Sequence, residues 1–311
     1  MTTELLRTDP VAPDSDVIER AAAVLRSGRL VAFPTETVYG LGANALDPTA
    51  VARIFAAKGR PATNPVIVHI ADISDVVNVV AEWPATAAAL ADRFWPGPLT
   101  LVLPRGEAIP DIVTAGGPTV AVRCPAHPVA RALIRAAGIP IAAPSANRST
   151  ELSPTRADHV VKGLGGRIDL ILDGGACSGG IESTVVDVTH EQVVILRPGL
   201  VTAPMLKAVV GLLCDPGGGE ETAAARSPGQ MAKHYSPRTP VVLLDPGACV
   251  SGDERVAVLR DMPRDPTNYA AILYVRLHDL DGQGFDRIMI EMPPDTPEWA
   301  GVRDRLKRAV G

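Results

Sequence analysis

Apolar and polar positions alternate with two different periods through residue 212, and the switches between them mark the expected elements. Apolar residues recur at helical spacing from Asp16 to Ser27 until Gly28 stops the run, and "RLVAF" then reads as a strand. "DPTAVARIFAAKG" carries a full set of helix boundaries: Asp47 can cap the first amides, Pro48 suits the first helical position, and Gly59 lies just past the end. "PVIVHI", "LTLVLP", "TVAVRCP", "IPIAAP", "IDLILDGG", "STVVDV" and "VVILRPG" read as strands, with "ATAAALADRF", "HPVARALIRAAG" and "APMLKAVVGLL" as helices. This alternation predicts an α/β domain with one sizeable sheet over residues 14–213.

The pattern then changes. "CDPGGGEETAAARSPGQMAKHYSPRTP" holds a Gly-Gly-Gly tract, several prolines and few apolar anchors, so residues 214–239 read as a linker. Beyond it "VVLLD", "RVAVLR", "YAAILYVRL" and "DRIMIEMP" read as strands, and "EWAGVRDRLKRAV" as an amphipathic helix. Residues 240–311 are thus expected to form a small second α/β domain of Rossmann-like type.

Composition removes several classes. The chain has 311 residues, 46% hydrophobic and 21% charged, with a net charge of -5, which argues against disorder and against a polybasic nucleic-acid or membrane binder. Cys124, Cys177, Cys214 and Cys249 are widely spaced and form no C-x-x-C pair, so neither a zinc ribbon nor a dense disulfide framework is expected. An N-terminus without an apolar h-region and the lack of any membrane-length apolar run point to a cytoplasmic protein.

Against that acidic background the placement of a few polar residues stands out. "FPTETVYGLGANA" puts Thr35, Glu36, Thr37, Tyr39, Gly40 and Gly42 directly after a strand, which suits a binding loop or a connection whose threonines bond their own backbone. Lys58 ends a helix and Arg60 sits in the turn after it, while His69, Arg123, Ser145, Asn147, Ser183, Thr184 and Arg197 sit at strand ends. Loops converge at the strand ends of an open α/β sheet, so these side chains can form a cationic concavity suited to phosphate or carboxylate. The chain has no G-x-x-x-x-G-K-[ST] phosphate loop, no G-x-G-x-x-G after the first strand and no H-E-x-x-H helix. A nucleotide bound here would be held without those devices.

"FPTETVYGLG", "KGRPATNPVIVHI", "FWPGPLTLVL", "TVAVRCP", "APSANRS" with "SPT" following, "ESTVVD" and "LRPG" come in the order and approximate spacing of the YrdC-like family. The chain specifically resembles the threonylcarbamoyl-AMP synthases over about residues 16–212, which implies the YrdC-like α/β fold, a twisted open mixed sheet with flanking helices. "SPGQMAKHYSPRTPV" is similar to the linker of the family's long form, which carries a C-terminal extension. The resemblance implies a nucleotidyltransferase reaction in which L-threonine, bicarbonate or carbon dioxide, and ATP give threonylcarbamoyl-AMP and pyrophosphate, with magnesium carried by ATP rather than by a protein metal site. The product would pass to a separate tRNA threonylcarbamoyl transferase, with neither membrane attachment nor direct stable nucleic-acid binding.

It further implies that Thr37, His69, Arg123 and Ser183 hold threonine, Arg123 pairing its carboxylate. Arg60, Asn64, Thr119, Ser145, Ser153, Arg197 and Tyr235 would hold ATP, and Lys58 with Arg60 would act on transition-state charge. Ala143 stands where the family often has Thr, and Gln230 and Ala232 where many relatives have Met and Tyr. The linker is expected to cross the mouth of the pocket as a lid, and the domain before it to be self-contained. Two other functions fit parts of the pattern. An RNA-binding module could use a cationic concavity, although the 4% aromatic content and the missing basic stripe oppose it. A carbamoyl-AMP-type carbamoyltransferase would resemble the same domain, but those proteins carry extra modules for which no C-x-x-C exists here.

Overall fold

The computed structural model describes residues 2–214, 235–245 and 255–310. Gln230, Ala232, Cys249 and most of the expected lid lie outside the described residues. The strands of the first sheet are β1 (Glu4–Arg7), β2 (Val31–Phe33), β3 (Gly40–Asn44), β4 (Ile67–His69), β5 (Leu99–Pro104), β6 (Thr119–Arg123), β7 (Ile141–Ala142), β8 (Leu170–Asp173), β9 (Thr184–Asp187), β10 (Val193–Arg197) and β11 (Leu213–Cys214). They form one mixed sheet in the order β1-β8-β2-β3-β7-β4-β6-β5-β9-β10-β11. Its helices are α1 (Ser15–Arg26), α2 (Pro48–Lys58), α3 (Ala85–Phe94), α4 (Asp111–Thr114), α5 (Pro128–Ala137), α6 (Ala157–Leu164) and α7 (Ala203–Val210). The boundary residues of α2 act as the sequence suggests: Asp47 accepts from the Thr49 amide, and Gly59 closes the helix at φ 64°.

A second sheet of β12 (Val241–Leu244), β13 (Val256–Leu259) and β14 (Arg287–Glu291) is wholly parallel, in the order β12-β14-β13. Helix α8 (Pro266–Asp281) links β13 to β14 as a β-α-β crossover, and α9 (Ala300–Val310) follows. The reading of "YAAILYVRL" as a strand is therefore wrong. Its aromatic and branched residues favour a strand, but Asp265 caps the Asn268 amide, Pro266 starts the helix, and Tyr269, Ala270, Leu273, Tyr274 and Leu277 form one buried helical stripe. "GLGAN", read as part of a loop, is strand β3, antiparallel to β2. A Cβ at Gly42 would lie 2.8 Å from the Phe33 ring and 2.9 Å from Ile141 Cγ2, so this glycine serves core packing.

Period-2 alternation gives the central strands two unlike faces. Val68, Val122 and Ala142 enter the largest core. Ile67 and Ala121 take the opposite face, pairing in register as do His69 and Arg123. A separate core joins the two sheets: Val38, Leu152 and Ile181 pack with Tyr235 and with Ala270, Leu273 and Tyr274 of α8 and Val302 and Leu306 of α9. The first domain is thus not closed on itself. The docking is close enough to involve backbone, since a Cβ at Gly180 would lie 2.1 Å from the Ala270 carbonyl oxygen and one at Gly301 would lie 2.9 Å from Gly199 Cα.

Candidate active site

One face of the central strands forms the floor of a pocket partly open to solvent. Thr37, Arg60, His69, Arg123, Ser145, Ser183, Arg197 and Tyr235 all line it, together with Ala143 and Glu182. Thr119 lies two residues along β6 from Ala121 and lines a separate concavity with Thr63, Pro65 and Thr114. Asn64 lies beside this stretch, its carbonyl accepting from Arg60 Nε at 3.4 Å.

The loop after β2 answers both readings of its hydroxyls. Thr35 bonds locally, its Oγ1 accepting from the Thr37 and Val38 amides at 3.2 Å and donating to the Val38 carbonyl. Thr37 faces the site, where its Oγ1 accepts from Arg123 Nη1 at 2.8 Å. Tyr39 turns away, donating to the Gly175 carbonyl at 2.7 Å. Arg123 also donates to Glu36 Oε1 and to the Gly97 carbonyl, so one guanidinium edge is anchored by a carboxylate that the sequence alone assigned no role. Beside it, burial and then the Arg123 charge push the His69 pKa down to about 3, leaving a neutral imidazole at pH 7. Its Nδ1 is buried without a hydrogen-bond partner among the described residues. A buried polar atom left unsatisfied is costly.

On the other side Arg197 donates to the Ser183 carbonyl and to Ser183 Oγ, both at 3.1 Å. Arg60 donates to the Pro65 carbonyl at 2.9 Å, and burial pulls its pKa to about 10, with nearby Tyr235 opposing and Arg197 adding to the drop. These arginines and Arg123 supply fixed positive charge in a site largely removed from water, where charge stabilisation is stronger than in solution. Ser153 is buried below the surface and donates to Glu182 Oε1.

Lys58 is placed differently from its expected role. It is buried outside the pocket wall, and Nζ donates to the Ser145 and Asn147 carbonyls and to Asn147 Oδ1. All three donors therefore hold the 145–147 loop. Burial, reinforced by the Arg60 charge, pushes its pKa well below the ordinary lysine value.

Glu182 and Arg305 are site residues that the sequence reading missed. Glu182 lines the pocket, and its Oε2 accepts from Arg305 Nε of α9 at 2.6 Å and from the Tyr274 hydroxyl of α8 at 3.3 Å. Burial by itself raises the carboxyl pKa, but Arg305, Arg197 and the Ser153 hydroxyl outweigh it and hold the group below its usual value. A signal for Glu182 existed in its place beside Ser183, whereas charge-rich "VRDRLKRAV" offered none for Arg305. Among the described residues no group of three or more His, Cys, Asp or Glu side chains is placed to hold a metal ion, and no helix is long and apolar enough to cross a membrane.

Comparison with known proteins decides the family. The family model described as "Telomere recombination" (Sua5_yciO_yrdC) matches residues 23–199, and that described as "Threonylcarbamoyl-AMP synthase, C-terminal domain" matches residues 201–311. The threonylcarbamoyl-AMP synthase of Bacillus subtilis is 42% identical over 98% of this chain and 96% of its own length. That of Pyrococcus abyssi is 50% identical over 94% of each. The chain belongs to the threonylcarbamoyl-AMP synthase family. The structure of P. abyssi Sua5 in complex with L-threonine superposes with a TM-score of 0.91 at 40% identity, covering 99% of this chain and 98% of that one. The synthase family thus accounts for the large mixed sheet and the smaller C-terminal α/β domain alike.

Proposed function

We propose that the chain condenses L-threonine, carbon dioxide or bicarbonate, and ATP into threonylcarbamoyl-AMP and pyrophosphate. The observation that carries this reading is the joining of eight implied substrate residues, from positions 37 to 235, in one pocket of a chain whose relatives bear that name along nearly their whole length. The threonine amine first becomes a carbamate. A carbamate oxygen then forms a bond to the α-phosphorus of ATP as the bond from that phosphorus to the bridging oxygen breaks, and pyrophosphate leaves.

Thr37, His69, Arg123 and Ser183 would hold threonine, with its carboxylate against Arg123 in a charge-assisted pair. Arg60, Ser145, Arg197 and Tyr235 would hold the nucleotide, which would extend over β6 toward Thr119 and Asn64, with Ser153 acting through Glu182. Negative charge grows on the transferring phosphoryl group and leaving pyrophosphate, and arginines already fixed in place stabilise it without reorganising. Magnesium would arrive bound to the triphosphate as part of that substrate. Lys58 would position the 145–147 loop. The product would then go to a separate enzyme that transfers threonylcarbamoyl to tRNA. The alternatives of an RNA-binding module or a carbamoyltransferase gain nothing from relatives named for this one synthesis.

The test is incubation of the purified protein with ATP, magnesium, bicarbonate and each amino acid in turn, with detection of pyrophosphate and acyl adenylate. Both products are expected with threonine. The absence of a threonine-dependent product would sink the proposal.

A further inference from the structure

Arg305 belongs to α9 of the C-terminal domain, yet it is 1% exposed and reaches the wall of the catalytic pocket. Its Nε donates to Glu182 Oε2 at 2.6 Å, Nη2 to the Glu182 carbonyl at 3.2 Å, and Nη1 to the Pro198 carbonyl at 3.0 Å. Asp304 Oδ2 accepts from Nη1 at 2.6 Å and completes the set around the guanidinium. These contacts fix Glu182 by both side chain and backbone and hold the turn immediately after Arg197. The Arg305 Cζ also lies 5.2 Å from the centre of the Tyr235 ring, within cation-π range.

Every group that Arg305 touches from the catalytic side leads to a pocket residue. Glu182 receives the Ser153 hydroxyl through its other oxygen and precedes Ser183 in the chain. Pro198 follows Arg197, which itself bonds Ser183, and Tyr235 lines the pocket. We propose that Arg305 is a positioning residue of the nucleotide site: it sets Glu182, Tyr235 and the Arg197 turn, so that ATP affinity depends on docking of the C-terminal domain. This rests on the reading above in which Ser153, Arg197 and Tyr235 serve ATP. The planar fork is essential to the geometry, because no other cationic side chain can donate in several directions within one plane. Arg123 and its anchors on Thr37, Glu36 and Gly97 are untouched by Arg305, whose one link to the threonine side is the Glu182 backbone that precedes Ser183. Nucleotide and amino-acid affinity should therefore separate when Arg305 is changed.

The experiment compares Arg305→Met, Arg305→Lys and, as a control, Arg303→Met in the full chain. Arg303 lies on the same helix and bonds the Pro293 carbonyl and Asp295, away from the pocket. Steady-state formation of pyrophosphate gives KM for ATP and for threonine, and calorimetric titration with ATP alone gives affinity independent of turnover. Arg305→Met is expected to raise KM and Kd for ATP at least tenfold while KM for threonine changes less than threefold. Arg305→Lys should recover part of the loss, and Arg303→Met should lower thermal stability without moving either KM beyond twofold. An ATP affinity within twofold of the wild type in Arg305→Met overturns the inference, as does an equal rise in both KM values, which would mark a general loss of folding. If Arg305→Met does not fold, Arg305→Lys decides alone: a selective rise in KM for ATP of threefold or more supports the proposal and an unchanged value overturns it. If the wild type binds ATP but makes no threonine-dependent product, the proposed activity fails while the titrations still decide the role of Arg305.

Discussion

Arg123 and Arg197 carry the same charge into one pocket but are tethered to different neighbours, the first to Glu36 and Thr37 and the second to Ser183. Arg123→Ala should mainly weaken threonine binding, and Arg197→Ala mainly ATP binding. Each loss should amount to ~2–4 kcal/mol in the affected substrate, the range for removing one partner of a buried charge-assisted contact. Substrate-specific titrations check this, and equal sub-twofold effects on both ligands would reduce both to ordinary arginines. At this scale the pocket was largely legible, because Thr37, Arg60, His69, Arg123, Ser145, Ser183 and Arg197 fall at junctions that strand and helix patterns locate. Lys58 was legible in position but not in action. Its acceptors are mostly main-chain carbonyls, which leave no trace in residue identity. Arg305 was hidden for another reason: its carboxylate partner lies 123 positions away, and a charge-rich helix reads as a solvated face.

Helix α9 can approach the catalytic domain only because Gly301 has no side chain against Gly199. In an ordinary helix interior, replacing Gly by Ala stabilises by roughly 0.5–1 kcal/mol. Here the sign should reverse, because the new Cβ would meet backbone that cannot swing aside. Gly301→Ala is expected to lower the melting temperature and weaken ATP binding together, since Arg305 lies one helical turn further on the same face. Gly180→Ala should be worse, as it combines a 2.1 Å approach to the Ala270 carbonyl with a φ of +73°. Thermal denaturation of both variants checks the order, and a stabilised Gly301→Ala would contradict it. Elements with caps and clean periods, such as α2 and α5, were readable from sequence. Helix α8 carries the same Asp-Pro-Thr start as α2, but its tyrosines with Ile272 and Val275 suit a strand equally well and masked that signal.

Across the whole molecule the two sheets share one of their cores, so unfolding should be a single cooperative transition by calorimetry rather than two. That shared core was invisible in the sequence: Val38, Leu152 and Ile181 look like local loop residues until the second domain covers them. His159 of α6 and His278 of α8 stack across the same junction with ring centres 3.9 Å apart. Asp158, Arg156 and Lys162 face the pair from the α6 side and Asp281 from α8. Burial lowers both pKa values, that of His159 to about 4 from 6.5, with the neighbouring His278 adding to the drop. The unfolded chain therefore binds more protons below pH 6.5, and docking stability, complete above that value, should fall as pH drops toward about 4. Melting temperatures between pH 7 and 4 measure it, and His159→Asn with His278→Gln should flatten the profile. The Glu182–Arg305 pair also constrains inheritance. Replacing Arg305 alone leaves the buried Glu182 carboxylate only the Arg197 charge and two hydroxyls, and replacing Glu182 alone leaves Arg305 only Asp304, so either single change costs up to about 3–5 kcal/mol. A lineage that alters this junction must first pass through a neutral residue at one position, so the two sites are expected to drift as a couple while the exposed remainder of α9 changes freely.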